Sequence, residues 1–127
     1  MNIQEIVDIV RQTAYETHVF FKNGYLEKVY ENALANRLRK KGIEVIQQHL
    51  LSVHDEDGTI VGDYFADLWI ADQLIVELKA VKALNENHVA QVLSYLKTSE
   101  TKHGMLINFG AQIFEVKKYV LWYLCHL

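Results

Sequence analysis

The sequence predicts an α/β domain with a mixed β-sheet flanked by helices. Two helical patterns come first, and β-branched and aromatic residues dominate the middle of the chain. A strand, a helix and another strand follow in that order, and such a crossover makes its two strands parallel neighbours. The chain has 127 residues, so we expect one domain over residues 1–127, because single hydrophobic cores commonly serve about 100 to 150 residues.

Apolar residues at helical spacing predict the first two elements. They recur from Ile3 to Ala14, with most of the polar residues on the other face. The pattern resumes from Leu26 to Leu38 and stops before Gly42, a residue type that is common just past a helix end. Two amphipathic helices therefore precede the sheet.

Three strands are predicted next, as a meander. Residues 45–53 and 60–70 are rich in β-branched and aromatic residues, and the polar run 55–58 between them predicts a hairpin. A short break at 71–73 separates this hairpin from residues 74–78. The nearly continuous apolar run of 74–78 is typical of a central strand.

The last part of the chain predicts a crossover back to the sheet. Asn85 is suited to cap a helix over 88–96, and residues 104–109 form another apolar strand. Residues 113–116 predict one more short strand. The segment 119–127 is apolar without a clear period, and we assign it no element.

Composition and charge exclude several classes of protein. Apolar residues make up 50% of the chain and charged residues 23%, as in ordinary globular proteins. The formal net charge of −3 gives no general attraction to phosphate, so any contact with nucleic acid must be local. Because Cys125 is the only cysteine, no intramolecular disulfide and no cysteine-based zinc cluster can form.

Membrane and cofactor signals are missing from the sequence. Its apolar stretches fall short of the ~18 to 20 residues that span a bilayer, and Glu5 and Asp8 stand where a signal peptide would be basic. We therefore expect a cytoplasmic location without membrane contact. The chain also has no glycine-rich phosphate loop and no nucleophile elbow, which argues against nucleotide-cofactor and serine-nucleophile chemistry.

Residues 67–79 place three charges inside otherwise apolar strands. Side chains alternate along a strand, so Glu77 and Lys79 project from one face, while the residues on either side of Glu77 point to the other. If the hairpin turns at Asp72, Asp67 on the preceding strand comes close to Glu77. The sequence thus predicts two carboxylates and one ammonium converging at one end of the sheet.

Asp67 and Glu77 have the chemistry of magnesium ligands. Mg²⁺ takes oxygen ligands and is usually held by one or two carboxylates together with water and substrate phosphate. Such an ion polarises a scissile phosphate and activates water, and Lys79 beside it would orient that nucleophile or neutralise charge on phosphorus. The alternative is a cross-strand ion pair, worth only about 0.2 to 1 kcal/mol on an exposed sheet face.

Two helices supply further polar candidates. Glu27 lies in the first turn of the second helix, where an acid also suits the helix dipole. His88, Gln91 and Tyr95 are three and four residues apart and therefore share one face of the third helix. These side chains could bind a phosphate or water, or simply hydrogen-bond to their neighbours.

The start of the second helix contains a run, Gly24, Glu27 and Tyr30, that resembles the signature of the GxxExxY proteins. These proteins are a bacterial and archaeal group within the PD-(D/E)XK nuclease superfamily. The resemblance continues in order along nearly the whole chain, through Asp67, the run 77–79, Gln91, Ser94, Tyr95, Leu96, Leu106, Ile107, Asn108, Phe109 and Gly110. The proline in the superfamily's name is replaced here by Ala66.

This resemblance implies a restriction-endonuclease-like core, which is a mixed β-sheet flanked by helices. It implies Asp67 and Glu77 as metal ligands and Lys79 as the catalytic lysine. It also implies Glu27 as the acidic residue of the N-terminal helix and Gln91 as the polar helix residue at the site.

We interpret the chain as a nuclease that hydrolyses phosphodiester bonds in nucleic acid with Mg²⁺ or Mn²⁺. We expect substrate contacts from His88, Tyr95 and Tyr30. The alternative is a non-catalytic module of the same fold that binds nucleic acid or a partner protein. The end of the second helix carries a basic run of Arg37, Arg39, Lys40 and Lys41. These cations could contact nucleic acid or a partner in either function, or only interact favourably with the helix dipole.

The apolar segment 119–124 has more apolar surface than a final strand needs. Contiguous exposed apolar surface usually marks an interface, so we expect a homodimer or a partner contact there. The alternative is that these residues close the hydrophobic core.

Overall fold

The computed structural model describes residues 1–121 of the protein. Within this range the elements follow in the order α1 (Ile3–Phe21), α2 (Glu27–Lys40), β1 (Val45–His54), β2 (Ile60–Ile70), β3 (Leu74–Lys79), α3 (Glu86–Ser99), β4 (His103–Asn108) and β5 (Glu115–Val120). The predicted helices, hairpin, third strand and strand–helix–strand crossover are all confirmed.

The five strands of the described range form one mixed sheet in the order β1-β2-β3-β4-β5. Antiparallel ladders join β1 to β2, β2 to β3 and β4 to β5, while β3 and β4 are parallel. A parallel pair requires a crossover, which α3 supplies. The strand β3 is therefore central, as its apolar run predicts.

Helices α1 and α2 cover one face of the sheet. Their apolar residues, among them Val10 and Leu34, pack against side chains from β2, β3 and β4. Val76 and Leu78 of β3 belong to this cluster and are fully buried. The prediction that the residues on either side of Glu77 point away from it is thereby confirmed.

Helix α3 covers the opposite face. Val92 packs there with Ile75 of β3 and Leu106 of β4 in a second, smaller cluster. The helix begins with a capping box, in which Asn85 accepts a hydrogen bond from the backbone N–H of His88 and the His88 ring accepts one from the backbone N–H of Asn85. The predicted cap at Asn85 is confirmed.

The ends of β3 and β4 are tied together next to Lys79. The backbone N–H of Phe109 donates to the carbonyl of Lys79 (2.8 Å), and the Asn108 side chain accepts from the N–H groups of Val81 (3.0 Å) and Gly110 (2.9 Å). A Cβ on Gly110 would lie 2.3 Å from the backbone nitrogen of Val81, so only glycine permits this approach. The strand that carries Lys79 is therefore held firmly on its β4 side.

The last strand differs from its prediction. The sequence predicts a strand at 113–116, whereas β5 begins at Glu115 and runs to Val120. Ile113 lies before the strand and is 81% exposed. The strand β5 lies at the sheet edge, and its ladder with β4, from Glu115 opposite Asn108 to Val120 opposite His103, fixes its register.

The apolar C-terminal segment is described only in part. Trp122, Tyr123 and Leu124, on which the predicted interface largely rests, lie outside the described residues. Tyr119 and Leu121 pack against the α3 side of the core, in keeping with the alternative that this part of the segment closes the core. Within residues 1–121, no helix has the length and apolar character needed to cross a membrane.

Candidate active site

Strands β2 and β3 separate before β3 ends. Their ladder stops at the Leu68–Val76 pair. From there β2 continues beside β1, whereas β3 continues beside β4. Asp67 and Glu77 are the next residues on the two strands, so both stand where the strands diverge.

The two carboxylates take the place of the missing ladder. The backbone N–H of Asp67 donates to Oε1 of Glu77 (3.0 Å), and the backbone N–H of Leu78 donates to Oδ2 of Asp67 (2.8 Å). Asp67 is 9% exposed and Glu77 is 2% exposed. Buried amide groups at a strand separation need acceptors, and these acids supply them. The predicted convergence of Asp67 and Glu77 is confirmed.

Ionisation of both acids would be costly in this position. Burial raises the pKa of Glu77 from an ordinary value of 4.5 to about 9, with the negative charge of Asp67 as the second cause. The N–H of Asp67 and the charge of Lys79 act in the opposite direction. At neutral pH the pair therefore holds a proton unless another positive charge takes its place.

Lys79 lies beside the pair and is oriented by α3. Its Nζ donates to Oε1 of Gln91 (2.6 Å), and Nε2 of Gln91 donates to the Tyr95 hydroxyl (3.1 Å). Burial, and then the charge of Glu77, raises the pKa of the Tyr95 hydroxyl, which indicates that this group is near the carboxylates. The predicted shared face of Gln91 and Tyr95 is confirmed, and it meets β3 at Lys79.

Glu27 approaches the site from the first turn of α2. Although much of the residue is exposed, desolvation raises the pKa of its carboxyl group above the ordinary 4.5, and so does the charge of Asp67. The charge of Lys79 lowers the same pKa. Glu27 is therefore within electrostatic range of both Asp67 and Lys79.

The chemistry of the acidic pair fits a divalent cation. Asp67 and Glu77 supply oxygen atoms, and positive charge between them would relieve the repulsion that raises the pKa of Glu77. In residues 1–121, no group of three or more His, Cys, Asp or Glu side chains is placed to hold a metal ion. Two carboxylates suit Mg²⁺, which usually keeps several waters and completes its shell with substrate phosphate.

Tyr30 and His88 have structural partners. Tyr30 is 0% exposed, stacks on Phe109 with ring centroids 4.7 Å apart, and donates to the carbonyl of Lys22. Tyr30 therefore packs in the core, and its predicted substrate contact stays a prediction. The Nδ1 of His88 accepts from the N–H of Asn85 (3.1 Å), and a substrate contact of His88 stays a prediction.

Two residues at the site, Glu31 and Gln48, are not identified by the sequence patterns. The Nε2 of Gln48 donates to Oδ1 of Asp67 (3.2 Å) and to Oε1 of Glu31 (2.7 Å). Glu31 is 3% exposed. It follows Glu27 by one helical turn, and this spacing is a signal that could have indicated it. No comparable signal marks Gln48.

Residues 1–121 form a mixed five-stranded sheet flanked by three helices, which is a restriction-endonuclease-like fold. A family model for the PD-(D/E)XK nuclease superfamily matches residues 4–119, and the chain belongs to that superfamily. The narrower resemblance to the GxxExxY proteins stays a prediction. No curated protein and no solved structure gives a significant match to the chain.

Proposed function

We propose that the protein is a metal-dependent nuclease that hydrolyses phosphodiester bonds in nucleic acid. The observation that carries this proposal is the convergence of two buried carboxylates, Asp67 and Glu77, beside the ammonium of Lys79. Membership of the PD-(D/E)XK nuclease superfamily supports the same reaction class, and nucleases of this superfamily generally use divalent metals. We propose Mg²⁺ or Mn²⁺, because both suit carboxylate and water oxygens.

Each side chain has a distinct role in this proposal. Asp67 and Glu77 hold the cation, which when bound would polarise the scissile phosphate and activate water. Lys79 donates hydrogen bonds to that water or to the phosphate oxygens and stabilises the charge that develops on phosphorus. Gln91 holds Lys79 through the 2.6 Å contact, and Glu27 adds a carboxylate at the edge of the site.

A groove near Tyr95 is a candidate path for the nucleic acid. It has a volume of about 460 Å³, and its walls include His54 and Tyr64 from the β1–β2 hairpin and Lys97 from α3. The rings of Tyr64 and Tyr95 lie 5.1 Å apart, and Tyr64 is 41% exposed. Exposed aromatic rings can stack on bases, and local basic groups can contact phosphate even in a chain of net charge −3. The groove therefore supports a substrate path beside Tyr95, and a substrate contact of Tyr95 itself stays a prediction.

A non-catalytic module that binds nucleic acid or a partner protein is the second candidate. The raised pKa of Glu77 favours it, because a proton shared with Asp67 would stabilise the pair without a metal ion. Metal binding separates the two functions, since only the nuclease requires it.

A cleavage assay tests the proposal on single-stranded, duplex and branched DNA and RNA, each with Mg²⁺, Mn²⁺ or EDTA. Cleavage should require the divalent ion and should be lost in Glu77→Gln, which keeps the shape of the side chain but removes its charge. Glu16→Gln is the matched control, because Glu16 is exposed and pairs with Lys41 at the far end of α2. Cleavage that persists in Glu77→Gln, or no cleavage of any substrate with metal present, would contradict the proposal.

A cytoplasmic location and a contact through segment 119–124 belong to the same proposal and stay predictions. Light scattering on the wild type and on Trp122→Glu tests that contact. A monomer whose state is unchanged by the substitution would remove the reason for a homodimer.

A further inference from the structure

Gln48 has an unusual backbone conformation for a residue inside a strand. The residues on either side of it pair with Leu68 and Ala66 of β2, so Gln48 lies across from Asp67. Its φ angle of 52° is in the left-handed region, which residues other than glycine rarely adopt. Such conformations persist only where the surrounding contacts hold them, and they cluster at functional sites.

The side chain of Gln48 joins two carboxylates. Its Nε2 donates to Oδ1 of Asp67 (3.2 Å) and to Oε1 of Glu31 (2.7 Å). An amide nitrogen carries two hydrogens, so each acid receives one of them. A flipped amide would turn its carbonyl oxygen toward both carboxylates, and this repulsion fixes the orientation of the amide.

Glu31 anchors this amide from α2. It is 3% exposed, and its Oε2 accepts from Nζ of Lys28 (2.9 Å) and from Nε2 of Gln47 (2.8 Å). Together with Gln48, three donors satisfy a carboxylate that would otherwise be costly to bury. The position of the Gln48 amide is therefore set by α2 as well as by β1.

Asp67 is consequently held at both of its oxygens. Its Oδ2 accepts from the N–H of Leu78 (2.8 Å) and its Oδ1 accepts from Gln48 (3.2 Å). Two donors, one on each oxygen, fix the plane of the carboxylate and leave a further lone pair on each oxygen for a cation.

We propose that Gln48 and Glu31 are positioning residues that orient Asp67 to bind a divalent cation. The inference rests on the proposed function, because that function makes Asp67 a ligand. The left-handed backbone at Gln48 directs its side-chain amide toward Asp67 and Glu31. Removal of the amide should therefore weaken metal binding at the site far more than it weakens the fold.

The variant Gln48→Gly separates these two effects, because glycine adopts the left-handed conformation freely but carries no amide. Calorimetric titration with Mn²⁺ should give a Kd roughly 10- to 100-fold above that of the wild type, the usual loss when the partner of a ligand is removed. The melting temperature should change little, because relief of the left-handed backbone offsets the loss of one donor to Glu31. Glu31→Gln should weaken Mn²⁺ binding in the same direction, because it loosens the anchor of Gln48.

Ala71→Gly is the matched control for backbone strain. The φ angle of Ala71 is also 52°, but this residue lies at the β2–β3 turn and carries only a methyl group. Ala71→Gly should therefore bind Mn²⁺ with the affinity of the wild type. An equal loss of affinity in Ala71→Gly and Gln48→Gly would overturn the role of the amide.

Hydrogen exchange at the backbone amide of Leu78 gives a readout that needs no metal. This amide donates to Oδ2 of Asp67, so it should exchange faster in Gln48→Gly, where that carboxylate is free to turn. In Ala71→Gly its exchange rate should equal that of the wild type. Wild-type protection of Leu78 in Gln48→Gly would overturn the positioning role, as would a wild-type Kd. If the wild type itself binds no Mn²⁺, the proposed function fails, and exchange at Leu78 still decides whether Gln48 positions Asp67.

Discussion

The two ends of the β2–β3 pair differ in what holds the strands together. Toward the turn, apolar residues such as Leu68 and Leu74 complete the backbone ladder and are fully buried. At the other end, Asp67 and Glu77 replace the ladder with hydrogen bonds between side chain and backbone. The first end stabilises the fold, whereas the second buries two carboxyl groups whose ionisation is costly there. Stability and the candidate chemistry are thus separated along one pair of strands.

The end of the β2–β3 pair at Asp67 and Glu77, where the two strands separate, is called the open end. It keeps its shape because other parts of the chain hold both strands there. On one side, Asn108 and Gly110 tie the end of β3 to β4. On the other side, Gln48 connects Asp67 to Glu31 on α2. These contacts hold the two carboxyl groups close together, as the proposed cation site requires.

Leu74→Ala should have the largest effect on stability, since the removed side chain is fully buried at the turn end of β3. We expect a loss of about 2 to 5 kcal/mol in the free energy of unfolding, because the change leaves a cavity in the core. Urea unfolding measures it, with Ile113→Ala as the control at a position that is 81% exposed. A loss no larger than that of the control would mean that the turn end does not carry the stability.

Lys79→Ala should act on the chemistry and leave metal binding largely intact. Its ammonium cannot coordinate a metal while protonated, so the Kd for Mn²⁺ should stay within a few fold of the wild type. Cleavage should fall by roughly 10² to 10³, the order seen when one partner of the transition-state charge is removed. Kinetics of nucleic-acid cleavage measure this, and Lys117→Ala, an exposed lysine on β5, is the matched control. Wild-type cleavage by Lys79→Ala would disprove the role of the lysine.

Glu77→Gln should remove a pH dependence of stability. The pKa of Glu77 is about 9 in the folded protein against an ordinary 4.5, so between these values the folded protein keeps a proton that the unfolded chain releases. Wild-type stability therefore falls as pH rises through this window, by up to about 1.4 kcal/mol per pH unit. Glutamine does not titrate, so in EDTA the variant should gain stability relative to the wild type between about pH 5 and about pH 8.

A saturating divalent ion should reverse this comparison, because a ligand that binds only the folded wild type stabilises it. Urea unfolding at both pH values, with and without Mn²⁺, measures the effect. If the free energy of unfolding changes equally with pH in the two proteins, the buried carboxyl group of Glu77 does not cause the pH dependence.

The sequence predicts the features that depend on short stretches of chain. Alternation along β3 is enough to put Glu77 and Lys79 on one face, and a short turn is enough to bring Asp67 close to Glu77. The cap at Asn85 is equally local, since it involves only the next three residues.

Such patterns do not predict contacts between segments that are distant along the chain. Gln48 meets Asp67 and Glu31 from 19 and 17 positions away along the chain, and nothing in β1 indicates its left-handed backbone. Tyr30 belongs to a recognisable motif, but its burial depends on how α2 is rotated against Phe109. That rotation is decided by packing of the whole core, which a sequence pattern does not contain.

Calorimetric titration of Mn²⁺ into the wild type and into Glu77→Gln, at neutral pH, gives the sharpest test of the proposed cation site. The proposal is that the open end of β2 and β3 is a cation site formed by Asp67 and Glu77. It predicts saturable binding to the wild type and binding at least roughly tenfold weaker, or absent, in the variant, because one of two charged ligands is gone. No binding to the wild type, or equal binding to both proteins, would contradict it.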